Sequence, residues 1–130
     1  MVGLVVVSHS WKIAEGVVDL ALQMAQGFEG IKAAGGMEDG EIGTDAARIL
    51  AAIEEVNSGD GVLILCDLGS AIMSAETAIE LLDDPDTDVR IADAPLVEGT
   101  IVAVVEASGG ESLENVLKAA ESAREDLKLG

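Results

Sequence analysis

The chain holds a single histidine, His9, and sets it between two hydroxyls in Ser8-His9-Ser10. The apolar run 2–7 leads straight into it. A second apolar run, GVLILC at 61–66, leads into Asp67 and the stretch CDLGSA. A neutral imidazole has one N–H to donate and one lone pair to attack with. A carboxylate that accepts the N–H fixes the tautomer and stabilises the positive charge that appears on the ring during attack. Ser8, Ser10 and Ser70 add hydroxyl donors, and Gly69 permits close backbone approach to a bound group. Helices starting near Ser10 and near Ser70 would aim backbone N–H groups at an anion. A histidine nucleophile, an orienting carboxylate and an anion cradle together suggest phosphoryl transfer through a phosphohistidine. The plainer reading keeps His9 as a strand-end residue bonded to a carbonyl, and Asp67 as a helix-start residue favouring the dipole. Position alone does not choose between them.

These residues need a scaffold that brings two strand ends together. The run at 2–7 is β-branched and continuous, as a buried strand is. From Trp11 to about Gln26, Ala14, Val17, Val18, Ala21, Met24 and Ala25 recur with a 3.6-residue period, which predicts an amphipathic helix. Residues 31–34 form a weak second strand. The glycine-rich GGMEDGEIGTD follows, and Thr44 is placed to cap a second helix running to about Val56. GVLILC is a third, central strand. Residues 70–82 predict a third helix and 89–96 a short strand broken near Pro95. Residues 99–106 have strand propensity but are assigned to a buried helix that could pack against another subunit. A last helix is expected over 112–127.

This alternation implies an α/β fold: an open parallel four-stranded sheet with helices on both faces. The simplest strand order is 2-1-3-4. Ligands of such sheets sit where the strand order reverses, beyond the carboxyl ends of the strands. That point lies between strands 1 and 3, next to His9 and Asp67.

Composition narrows the partners. The 130 residues make one domain, and 49% hydrophobic content marks a chain that folds. The net charge is −18, from 25 acidic and 7 basic residues. Nucleic acid and anionic membranes are therefore disfavoured as partners. No apolar run approaches the ~20 residues of a membrane helix; no basic segment stands before the first apolar run, so no signal peptide is expected. With Cys66 alone no internal disulfide forms, so a cytoplasmic setting is expected. One histidine and one cysteine make no metal-ligand cluster, so no metal is expected. GGMEDGEIGTD lacks the Gly-Lys-Ser/Thr of a nucleotide phosphate loop. DDPDTD at 83–88 lacks the glycine and terminal glutamate of a calcium loop and reads as a solvated turn. No Gly-x-Ser-x-Gly elbow is present. Trp11 is either an exposed anchor for a docking protein or a cap on the first helix.

Four blocks carry a resemblance: VVVSHS at 5–10, IGTDAARILAAI at 42–53, LCDLGSAIMSAETAIELL at 65–82 and APLVEGTIVAVVEASGG at 94–110. Together they resemble the phosphotransfer subunits of phosphoenolpyruvate-dependent dihydroxyacetone kinases, within the mannose-type IIA group of the sugar phosphotransferase system. The resemblance covers nearly the whole chain. It implies a homodimer in which His9 is phosphorylated by the phosphocarrier HPr. It implies that His9 hands the phosphoryl group to ADP held on the kinase's nucleotide-binding subunit, so that no cofactor is bound by this chain. On this likeness Asp67 orients the imidazole, and Gly69 and Ser70 belong to a phosphate-framing turn. Gly43, Thr44 and Asp45 would lie on the rim. Some members carry further phosphocarrier domains; residues 1–130 are expected to form a single IIA-like domain whose donors are separate proteins. The rival readings are a IIA component feeding a mannose-type transporter, a switch phosphorylated on Asp67, and a non-catalytic binding module. The switch reading lacks the acidic pair after strand 1 that would hold Mg²⁺.

Overall fold

The computed structural model describes residues 1–130. Four strands are laid down in turn: β1 (Gly3–Ser8), β2 (Ile31–Gly35), β3 (Val62–Cys66) and β4 (Val89–Ile91). Between them run α1 (Trp11–Leu22), α2 (Ala46–Val56) and α3 (Gly69–Glu80). Helices α4 (Leu96–Ser108) and α5 (Leu113–Ser122) follow β4, and a single 3₁₀ turn at Ala123–Glu125 closes the described helices. The sheet is open, all parallel, and ordered β2-β1-β3-β4 as the sequence predicts.

The strands are buried on both faces, so their side chains divide by alternation. Leu4, Val6, Leu63 and Leu65 face the layer made by α1, α4 and α5. Val5, Val7, Ile64 and Cys66 face α2 and α3. Every one of these eight is buried, which ties the register to the core: a one-residue slip would exchange the two sets. The register pairs Val7 with Cys66 and Ser8 with Gly35. The residues beyond the first pair are therefore held side by side at the carboxyl end of the sheet.

Several boundaries differ from the sequence expectation. Helix α1 ends at Leu22, not near Gln26, because the chain tightens into turns and leaves the helix at Gly27, whose φ is +85°. The cap of α2 is Asp45 and not Thr44: the Asp45 carboxylate accepts from the Ala47 N–H at 2.9 Å. Strand β4 stops at Ile91, and the 3₁₀ turn replaces the last turn expected of α5. Pro95 does not break a strand but precedes α4, where its missing N–H costs nothing. The segment 99–106 is helical, as assigned, and α4 starts three residues earlier, at Leu96. No helix is long and apolar enough to cross a membrane.

Candidate functional site

The site is built outward from one carboxylate. Asp67 follows β3 and its N–H donates to the Val7 carbonyl at 3.1 Å, which continues the sheet by one residue. Both of its oxygens are spoken for. Oδ1 accepts from His9 Nδ1 at 2.9 Å and from the Leu68 N–H at 2.7 Å. Oδ2 accepts from the Ser8 hydroxyl at 2.9 Å and from the His9 N–H at 3.0 Å. Burial pushes the Asp67 carboxyl up, but the four hydrogen bonds outweigh it and hold the group below the ordinary carboxylate value.

An ionised carboxylate can only accept, so the proton of the neutral ring is on Nδ1. Nε2 then carries the lone pair. The Ser70 hydroxyl lies 2.7 Å from Nε2 and donates to it. His9 is 22% exposed and Asp67 14%, so the ring is reachable from solvent while its orienting partner is nearly covered.

Ser70 and Gly69 are the first two residues of α3. Helix geometry leaves their N–H groups without an intrahelical acceptor. Leu68, in the capping position, offers no side-chain oxygen to occupy them. A Cβ on Gly69 would meet nothing within 4 Å, so the approach to this helix start is open. The arrangement suits a small anion lodged between Nε2 and the start of α3.

The structure sorts the remaining sequence candidates. Ser8 does not frame the crevice: it is wholly buried, donates to Asp67 and accepts from the Ser10 N–H at 3.1 Å. Ser10 is the cap of α1, its hydroxyl accepting from the Ile13 N–H at 3.4 Å. Gly43 reaches the site through its backbone, its N–H donating to the His9 carbonyl at 2.9 Å. Its φ of +145° is one that few side-chain-bearing residues adopt. Thr44 bonds Ser74 of α3 at 2.6 Å, and Asp45 turns away to cap α2. Trp11 does not cap α1; it is exposed at the helix start, with the Lys12 ammonium 6.0 Å from the ring centroid. No group of three or more His, Cys, Asp or Glu side chains is gathered as metal ligands would be.

Two features escape the sequence reading. Ser74 reads as a small residue in an apolar helix; its only signal is the four-residue spacing from Ser70. Gly35 lies so close to α1 that a Cβ there would sit 2.6 Å from the Trp11 Cα. It fixes how near the start of α1 approaches the strand ends.

Residues 3–117 match the family model of the PTS system fructose IIA component. The chain belongs to this family. The PEP-dependent dihydroxyacetone kinase phosphoryl donor subunit DhaM of Escherichia coli strain K12 is 46% identical over 137 residues, covering 99% of this chain and 29% of that protein. The corresponding subunit of Listeria innocua kinase 2 is 42% identical over 119 residues, covering 91% of this chain and 95% of that one. The chain thus spans under a third of the first relative and nearly all of the second. Among solved structures, EF1359, a protein of unknown function, superposes with a TM-score of 0.82 at 34% identity over 93% of each chain. The phosphotransferase system component EIIA from Streptococcus agalactiae superposes at 0.73 with 13% identity, a likeness of fold alone. The resemblance drawn from the four sequence blocks is borne out by the family match and the named relatives.

Proposed function

We propose that this chain is a phosphohistidine carrier that takes a phosphoryl group from HPr. It passes the group to ADP bound on the nucleotide-binding subunit of dihydroxyacetone kinase. The observation that carries this reading is the Asp67 carboxylate: its hold on Nδ1–H leaves the Nε2 lone pair beside the open start of α3. In the first step the Nε2 lone pair attacks the phosphorus, and the donor's N–P bond breaks as the new one forms. The Nδ1 proton stays where it is, and Asp67 balances the charge on the ring. The Ser70 hydroxyl turns from Nε2 to a phosphoryl oxygen, joined by the N–H groups of Gly69 and Ser70. In the second step the β-phosphate oxygen of ADP attacks the same phosphorus and His9 returns to its neutral form. No nucleotide pocket or metal is required of this chain for either step.

The names of the relatives support the dihydroxyacetone-kinase acceptor over a transporter. The single domain over 1–130, the homodimer and the cytoplasmic setting belong to the same proposal. Helix α4 is apolar on most sides and leaves Val97 and Val105 exposed, which fits a covered face in a dimer. Sedimentation at micromolar concentration tests the dimer.

The function is tested by reconstituting the relay. The protein is mixed with phosphoenolpyruvate, enzyme I and HPr, and its intact mass is read, with His9→Ala beside it. One acid-labile phosphoryl group is expected on the wild type and none on the variant. ADP-loaded kinase subunit should then discharge it. A label that stays put would favour the transporter reading, and no label at all with active donors would reduce the crevice to a binding site.

A further inference from the structure

The segment 36–44, between β2 and α2, grips the backbone around His9. The Gly36 N–H donates to the Ser8 carbonyl at 3.1 Å and the Gly43 N–H to the His9 carbonyl at 2.9 Å. Its one side-chain hydrogen bond to the rest of the chain joins Thr44 Oγ1 to Ser74 Oγ at 2.6 Å, partly buried. Ser74 follows Ser70 by four residues, so the two hydroxyls share one face of α3. That helix holds the His9 ring at its first turn and the segment 36–44 at its second. His9 is fastened between them, by its carbonyl on one side and by Nε2 on the other.

We infer that Thr44 and Ser74 are a positioning pair for phosphoryl transfer. Their bond closes a circuit that runs from the His9 ring through Ser70, Ser74, Thr44 and Gly43 back to the His9 carbonyl. Neither residue touches a reacting atom. They act by setting how far the start of α3 stands from the His9 backbone, and so the distance from Ser70 and its neighbouring N–H groups to Nε2. Transfer is sensitive to such distances, because the nucleophile and the groups that stabilise the moving charge must meet the same phosphorus. Helix packing does not by itself call for a hydroxyl at either position, since an alanine or valine of similar size would fill the space. The rate effect rests on the function proposed above; the effect on the resting geometry does not.

The test uses the whole chain with its histidine labelled with ¹⁵N. Thr44→Val and Ser74→Ala are compared with wild type, with the double variant and with Thr44→Ser, which keeps the hydroxyl. Thermal melting confirms that each is folded. Without any donor, the Nε2 resonance should move in Thr44→Val and Ser74→Ala in the direction given by Ser70→Ala, and Thr44→Ser should restore it. In the reconstituted relay the labelling rate at saturating HPr should fall about tenfold in each single variant. The HPr concentration for half-maximal rate should hold, and the double variant should be no slower than either single. An unmoved Nε2 resonance in folded variants overturns the inference. So does a raised half-maximal concentration with an unchanged saturating rate, or losses that add in the double variant. If the wild type accepts no phosphoryl group, the proposed function fails and the resonance alone decides the positioning role.

Discussion

The two ends of the sheet invite opposite conclusions from their shapes. At the amino end, Met1, Phe28, Glu29, Glu55, Asn57 and Ser58 help to line an open hollow of about 740 Å³. At the carboxyl end, His9 lies near the surface and is bonded by Asp67, Ser70 and Gly43, with Ser8 bonded in turn to Asp67. The hollow offers volume without a convergent set of reactive groups. The carboxyl end offers an imidazole bonded at Nδ1 to a carboxylate, beside the open start of α3. A group delivered on another protein needs a reachable atom and fixed dipoles, and enclosure would keep the donor out.

The largest effect after loss of His9 itself is expected from Asp67→Asn. The amide can accept at one oxygen only, and its NH₂ would face either Nδ1 or the His9 N–H. Phosphorylation of His9 should slow on the order of a hundredfold to ten-thousandfold, with the fold retained. Rapid-quench labelling by phosphorylated HPr measures it. A loss under threefold would mean that Asp67 does not set the ring for attack.

A pair of glycines separates the ends more finely. A Cβ on Gly3, at the amino end, would sit 2.5 Å from the Val56 carbonyl oxygen. A Cβ on Gly35, at the carboxyl end, would sit 2.6 Å from the Trp11 Cα and 2.8 Å from the Ser10 carbonyl oxygen. Gly3→Ala and Gly35→Ala should each cost about 1–3 kcal/mol of stability in urea unfolding. Only Gly35→Ala should also slow transfer, because it moves the start of α1 against the His9 turn. Equal rates in the two variants would erase the distinction.

Why these features differ in legibility is physical. The strand order was readable because β1 and β3 are continuous apolar runs that only a doubly covered parallel sheet buries. His9 and Asp67 were readable because each stands one or two residues past such a run. The cap of α2 was misread because Thr44 and Asp45 both suit a helix start, and a tertiary contact decided between them: Ser74 takes the threonine. Ser8 was misread because a hydroxyl beside a nucleophile looks available until the carboxylate is seen to claim it. Contacts of this kind join residues 30 or 59 positions apart, and no local pattern announces them.

The two flanks of the site also give stability opposite pH limits. Asp67 is held below its ordinary value, so its ionised form is favoured by folding. Its contribution is complete above the unfolded value, near 3.8, and fades as pH falls through the lower folded value. The neighbouring Cys66 thiol is pushed up from 9.0 to about 12, by burial first and by the Asp67 charge second. Folding favours its protonated form, so stability holds below about pH 9 and declines between there and pH 12. Urea midpoints should show Asp67→Asn losing its disadvantage as pH drops below about 4. Cys66→Ala should flatten only the alkaline decline. If Asp67→Asn tracks wild type in parallel down to pH 2, the carboxylate is not the group that folding stabilises.

The smallest expected effect is none. Glu29 is exposed at the amino-end hollow, forms no ion pair and lies beyond the far ends of the strands from His9. Neutralising it in Glu29→Gln changes the chain's charge by one part in 18. Screening over a distance greater than the ~8 Å Debye length at physiological salt leaves little of that change at the crevice. The labelling rate, the discharge rate and the urea midpoint should all match wild type within error. The same change at the carboxyl end, in Glu41→Gln on the segment that grips His9, shares its magnitude of charge but lies within reach of an approaching donor. A basic donor should then lose association rate with Glu41→Gln, more at low salt than at high, and keep it with Glu29→Gln. If both slow the encounter alike, the acidic charge acts as a single diffuse field. The two ends would then differ in chemistry but not in how partners find them.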